Sequence, residues 1–237
     1  MTFIAGKLNN HVFDKPLTPE AAYWIGFLLA DGCISEKHGP HKEYLNICLG
    51  LKVSDVEHVA AFGRFVETQA QVKIREFGTN FGPTKQAIIT IGGQFLPGVL
   101  AEYGIVPRKT KIDQGVHSDL KLSPDFWRGL IDGDGSISLI KNKGCLYPAI
   151  MVGGVRLLME DFANVVLAIT GFRPKIGTCR SIFKVGTNGR RAQKLIKWLY
   201  EGATTSLERK RLMAERCIAW RPIRKSLPPT SEETSPL

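Results

Sequence analysis

The stretch Trp24-Ile25-Gly26-Phe27-Leu28-Leu29-Ala30-Asp31-Gly32 recurs as Trp127-Arg128-Gly129-Leu130-Ile131-Asp132-Gly133-Asp134-Gly135, which places Asp31 and Asp134 at matching positions 103 residues apart. Self-similarity at that spacing leaves room for one small α/β unit per copy, so the chain reads as a tandem duplication. Each copy opens on a helix start, Thr18-Pro19-Glu20 or Ser123-Pro124-Asp125, with a hydroxyl N-cap, a proline in the first turn and an acid that complements the helix dipole. Each runs on into a similar short segment, Cys33-Ile34-Ser35 or Ser136-Ile137-Ser138. The two acids therefore sit at the C-terminal ends of two equivalent helices, with Gly32 and Gly135 as stops.

Positions 44–52 alternate, with Leu45, Ile47, Leu49 and Leu51 on one face and polar or small residues on the other, the pattern of a strand in a one-sided sheet. Periodicity then predicts a helix over 55–68, strands over 72–77 and 85–91, and a short helix over 94–103. The order is αββαββα. The second half repeats it, with a helix over 123–134, strands over 136–141 and 147–153, a helix over 155–170, strands over 173–179 and 180–186, and helices to about 220. The expected division is a first half at 1–118, a second at 119–221, and a polar tail at 222–237 that should be disordered.

The 43% hydrophobic content of the 237 residues suffices for a proper core. Lys and Arg outnumber Asp and Glu 32 to 22, a formal charge of +10, so the molecular field attracts polyanions, nucleic acid first among them. No P-loop, G-x-S-x-G or H-E-x-x-H occurs, and the five histidines form no metal-ligand cluster. His38 and His41 read as loop residues that are solvated or touch phosphate. The five cysteines, Cys33, Cys48, Cys145, Cys179 and Cys217, include no C-x-x-C pair and read as free thiols. Without a signal-like start or a membrane-length apolar run, the expectation is a cytoplasmic protein, or one of an organellar matrix, that is not secreted.

Gly26 and Ala30 on one motif helix, and Gly129 and Gly133 on the other, are small residues four apart on one face. Glycine inside a helix costs about 0.5–1 kcal/mol relative to alanine, and a close crossing of the two helix backbones would account for it. Such a crossing brings Asp31 and Asp134 side by side, where two carboxylates and two helix C-termini repel one another unless a hard divalent cation joins them. Acids that merely cap or face solvent are the alternative.

Both segments resemble the LAGLIDADG motif of the homing endonucleases, and the resemblance runs over about 18–220. It implies an α+β, tandem duplicated αββαββα fold with pseudo-twofold, saddle-shaped antiparallel sheets. It also implies a monomer that hydrolyses both strands of double-stranded DNA at a long, imperfectly palindromic site, leaving staggered ends. Mg2+ would serve as cofactor, with Mn2+ able to replace it and Ca2+ supporting binding without cleavage. The motif's final acids, Asp31 and Asp134, would be the metal ligands, joined by the backbone carbonyls of Ala30 and Gly133. Lys109, in Tyr103-Gly104-Ile105-Val106-Pro107-Arg108-Lys109-Thr110, and Lys210, in Ser206-Leu207-Glu208-Arg209-Lys210, resemble the family's active-site lysines. One departure stands out: the motif's earlier acid is present as Asp132 but is Leu29 in the first copy, which affects the helix end rather than catalysis. The rival reading is a binding protein on the same fold, an RNA-splicing maturase that holds intron RNA or a transcription factor.

The strand faces turned away from the core carry polar and basic groups in both halves: Ser35, Lys37, Asn46, Lys52, Lys73, Arg75, Gln86 and Thr90 in the first, and Ser138, Lys141, Arg173, Lys175, Arg180 and Lys184 in the second. They are the expected DNA contacts, some to base edges and others to phosphates, unless the face is simply solvated. Phe77 and Ile182 share it by parity.

Overall fold

The computed structural model describes residues 8–38, 43–79, 82–142, 144–180 and 182–222. Among them the first half comprises α1 (Pro19–Asp31), β1 (Gly32–His38), β2 (Glu43–Lys52), α2 (Val56–Phe65), β3 (Lys73–Thr79), β4 (Gly82–Gly92) and α3 (Phe95–Glu102). The second comprises α4 (Pro124–Asp134), β5 (Ser136–Asn142), β6 (Cys145–Gly154), α5 (Arg156–Thr170), β7 (Gly177–Cys179), β8 (Ile182–Asn188), α6 (Gly189–Tyr200) and α7 (Glu208–Ile218). Each half forms one antiparallel four-stranded sheet, in the orders β1-β2-β4-β3 and β5-β6-β8-β7. The fold is α+β and duplicated. Most of the 222–237 tail and much of the loop holding His41 lie outside the described residues.

The N-caps form as the sequence predicts: Ala21 N–H donates to Thr18 Oγ1 at 3.1 Å, and Phe126 N–H donates to Ser123 Oγ at 3.2 Å. α1 is buried all round from Ala21 to Leu28 because it has α4 on one side and its own sheet and α2 on others. The indoles anchor each half in the same way. Trp24 meets Phe62 of α2, and Trp127 meets Phe162 of α5, with ring centroids 5.1 Å apart in both cases.

α1 and α4 cross backbone to backbone. A Cβ placed on Gly26 would lie 2.0 Å from the Phe126 carbonyl oxygen, and one on Gly129 would lie 2.0 Å from that of Tyr23. Only glycine fits. The motif-ending glycines have a different reason from the left-handed stop that sequence suggests. Gly32 (φ −73°) and Gly135 (φ −87°) are extended. They are required because a Cβ would sit 2.6 Å from Leu28 O or 2.8 Å from Ile131 Cα and O as the chain turns from helix into strand.

One strand departs most from the sequence expectation. The 173–179 strand shrinks to Gly177–Cys179, because the chain first leaves α5 through Gly171 in a left-handed turn (φ 74°) and then crosses a loop. α6 and α7 close the second half, whereas the first ends in the shorter α3 and a 3-10 turn, Lys109–Lys111.

Candidate active site

Asp31 is the last residue of α1 and Asp134 the last of α4, so the helix crossing delivers both carboxylates to one spot. Asp31 Oδ2 lies 3.1 Å from where a Cβ on Gly133 would stand, and that same Cβ would meet Ala30 Cβ at 2.4 Å. Absence of a side chain at Gly133 is what admits the Asp31 carboxylate between the helix ends. Burial, then the negative charge of Asp134, pushes the Asp31 carboxyl up to about 6, against the pull of Lys109 and Lys210. Burial likewise raises Asp134, again opposed by the two lysines.

Lys109 and Lys210 reach this spot from separate elements. Lys109 Nζ donates to the carbonyls of Ala30, at 3.3 Å, and of Gly32. Lys210 Nζ donates to the carbonyls of Ile131, at 2.9 Å, and of Gly135. Each ammonium thus covers the negative end of one motif helix and stands beside the acids. Burial pulls both lysines below their ordinary range, while the surrounding aspartates hold them up.

The donor set suits a hard divalent cation. Among the described residues no group of three His, Cys, Asp or Glu side chains converges, and the side chains that could hold such a cation are the two carboxylates of Asp31 and Asp134. That is how Mg2+ is held when water and substrate phosphates complete the shell. Of the two carbonyls expected as ligands, that of Ala30 accepts from Lys109.

Register fixes which side chains share the open faces of the sheets. In the first half Ser35 pairs with Asn46, Cys48 with Thr90, Lys52 with Gln86, and Gln86 with Arg75, while Lys73 lies opposite Ile88. All stand opposite the core residues Ile47, Leu49, Ala87 and Ile89. Lys37 pairs with Tyr44 in the same ladder. Phe77 joins them, 40% exposed. Asn46 departs from an exposed contact: it is buried, and its Nδ2 has no hydrogen-bond partner among the described residues.

The second half corrects the sequence reading. Ser138 and Lys184 lie on the open face, but Lys141 shares its parity with the core residues Ile137 and Leu139 and so belongs to the other face. Arg173 and Lys175 precede β7 in a loop, where Arg173 Nε donates to Asn164 Oδ1, because the strand expected there is shorter. Arg180 occupies the turn between β7 and β8 in the left-handed region (φ 56°). The open face carries instead Ile140, Met151 and Ile182, each about 40% exposed. A cleft of about 470 Å3 runs beside Asp134, lined by Thr110, Ser136, Met151, Ile182 and Lys184. Thr110 ends the segment that carries Lys109 but is not among the expected site residues, although its place next to Lys109 is a signal.

A buried polar cluster also went unread. Asp132, fully buried, accepts from Tyr23 Oη (2.8 Å), Tyr200 Oη (2.5 Å) and the Leu207 N–H (2.7 Å). Arg128, 2% exposed, donates to the carbonyls of Leu199 and Thr205 and to Asp125. The signal was in the repeat, since both charges occupy positions that are apolar in the first copy, Ile25 and Leu29.

No family model and no curated protein matches the sequence. Solved structures do match. The LAGLIDADG meganuclease I-AabMI bound to uncleaved DNA aligns over 85% of this chain and 90% of its own, with a TM-score of 0.55 and 12% identity. The homing endonuclease I-WcaI bound to its DNA recognition sequence aligns over 81% and 85%, with a TM-score of 0.58 and 12% identity. The meganuclease I-SmaMI bound to uncleavable DNA aligns over 85% and 90%, with a TM-score of 0.57 and 11% identity. The chain has the two-motif fold of the LAGLIDADG homing endonucleases.

Proposed function

We propose that the protein is a site-specific endonuclease that cuts both strands of duplex DNA. The observation that carries this reading is the meeting of Asp31 and Asp134 at the foot of the helix pair, with Lys109 and Lys210 beside them, between two open sheet faces. A binding protein has no use for two acids held together where a phosphate backbone would pass. Asp31 and Asp134 would hold Mg2+, which in such a site activates water and stabilises the departing 3′ oxygen. Lys109 and Lys210 add positive charge where the phosphorane charge develops. Water oxygen bonds to phosphorus as the bond to the 3′ oxygen breaks, leaving a 5′-phosphate and a 3′-hydroxyl. Each motif serves one strand, so the ends are staggered.

The first sheet offers Lys52, Lys73 and Arg75 to phosphates or guanines. Because the halves differ, the site is only imperfectly palindromic, and one chain suffices. Mobility of an intron is the biological setting that suits such an enzyme.

The test compares wild type with Asp31→Asn and Asp134→Asn on DNA selected for binding, in Mg2+ and in Ca2+. Expected are cleavage by wild type in Mg2+ alone, collapse of cleavage in both variants, and retained gel shifts in Ca2+. Wild type that binds a defined duplex yet never cuts it in Mg2+ or Mn2+ would leave a binding protein, of the maturase or regulator type, in place of the enzyme.

A further inference from the structure

We infer that Asp132 is a positioning residue for Lys210, and that it makes the cutting of one DNA strand depend on a contact the other strand's centre lacks. The inference rests on the nuclease reading above. Lys210 is the third residue of α7, and the residue just before that helix, Leu207, donates its N–H to Asp132 Oδ2 at 2.7 Å. Lys210 Nζ meanwhile donates to the carbonyls of Ile131 and Gly135, on either side of Asp132 along the chain. Lys210 is therefore fixed at two points on α4, through the start of its own helix and through its ammonium. Tyr200 Oη, at the end of α6, donates to the other carboxylate oxygen, so the whole α6–α7 connection is drawn onto the motif helix. Tyr23 Oη donates to Asp132 from α1 and is itself bonded to His58 Nε2, which ties the arrangement to the first half.

Among the described residues Lys109 has no such second point. Its motif helix carries Leu29 where α4 carries Asp132, and it sits in a 3-10 turn behind Arg108, a non-glycine residue in the left-handed region (φ 57°). Among the described residues, the hydrogen bonds that join it to the end of α1 are those of its ammonium, to Ala30 and Gly32. A misplacement of about 1 Å at a reacting centre can cost on the order of 100-fold in rate, so loosening the start of α7 would slow the centre Lys210 serves and spare the other.

The experiment follows the two strands separately on supercoiled plasmid carrying the target, with end-labelled duplex to identify the strand. Wild type linearises the plasmid, and if it does not, the nuclease reading fails while Asp132 is not at issue. Lys210→Met and Lys109→Met should nick opposite strands. Asp132→Leu, which installs the side chain of the first copy, should accumulate nicked circles. It should slow the strand that Lys210→Met spares least by roughly ten- to a hundredfold, with the other strand and Ca2+-supported binding within about twofold of wild type. Adding Asp132→Leu to Lys210→Met should slow that strand no further. Asp132→Asn, which keeps an oxygen for the Leu207 N–H, should restore most of the lost rate and carries the test if the leucine variant does not fold. Equal slowing of both strands, slowing of the strand that depends on Lys109, or binding lost in step with cutting in the asparagine variant would overturn the inference.

Discussion

The two halves bring the same acid to the same place and support it by different means. Around Asp31 the motif helix is held by rings: Trp24 lies against Phe62, Phe65, Phe27 and the imidazole of His58. Around Asp134 the helix has two such contacts, Trp127 on Phe162 and on its neighbour Phe126, and relies otherwise on Arg128 and Asp132, which bond the backbone between Leu199 and Leu207. The open faces differ as well. Lys52, Lys73, Arg75 and Gln86 give the first a cationic, hydrogen-bonding surface, while Ile140, Met151 and Ile182 give the second an apolar one relieved by Lys184. Duplication preserves the geometry that chemistry needs and leaves packing and recognition free to diverge.

The largest effect should come where the halves are still equivalent. Gly26→Ala and Gly129→Ala each thrust a methyl to within 2.0 Å of a carbonyl on the facing backbone, which cannot rotate away as a side chain would. Overpacking of ordinary cores costs about 1–3 kcal/mol, and against backbone the cost should exceed that range in both variants alike. Thermal melts should show loss of the cooperative transition. If one variant melts like wild type, the crossing is not symmetric.

Next comes the position where the halves part. Arg128→Met removes two bonds to carbonyls and strands Asp125, at a cost of about 3 kcal/mol in urea unfolding. Its counterpart Ile25→Val should cost only about 1 kcal/mol. Equal losses would mean that Arg128 acts as an apolar spacer through its stem.

Most of this architecture could be read from sequence because repetition and alternation are both local signals. The N-caps, the meeting of Asp31 with Asp134 and the outward parity of Lys73 and Arg75 all depend on spacing. What escaped depends on partners distant in the chain: nothing near Asp132 announces Tyr23, Tyr200 and Leu207, and nothing near Asn46 announces that it is covered. Lys141, Arg173 and Lys175 fall elsewhere because parity rather than positive charge sets the face of a strand residue, and because Gly171 starts a loop where the sequence suggests strand.

A smaller effect tests the faces. If DNA lies across both sheets, the paired change Lys73→Ala with Arg75→Ala should lower the slope of log affinity against log salt by about 2, and Lys184→Ala by about 1. Titrations from low to moderate salt in Ca2+ measure this. Equal slopes for the double and single changes would show that the first sheet does not carry more phosphate contacts than the second.

The smallest effect tests the strain between the two acids. Because the Asp31 carboxyl is raised from 3.8 to about 6, by burial first and Asp134 second, the folded chain binds a proton there more tightly than the unfolded one. The stability this gives is fully present below 3.8 and is lost as pH rises through about 6. Asp31→Asn has no charge to lose, so in chelator it should melt above wild type at pH 7.5 and level with it near pH 4. Solvent on the open side of the carboxylate screens the effect, and a rise of about 2 °C is expected. His58, lowered to about 4 by burial, titrates in both proteins and cancels in the difference. Asp134→Asn should shift the melting temperature in the same direction, since burial raises that carboxyl too and the repulsion between the two acids is lost whichever one is neutralised. A lower melting temperature for Asp31→Asn at pH 7.5 would show that the carboxylate is stabilised where it stands, and the strained pair on which cation binding depends would have to be abandoned.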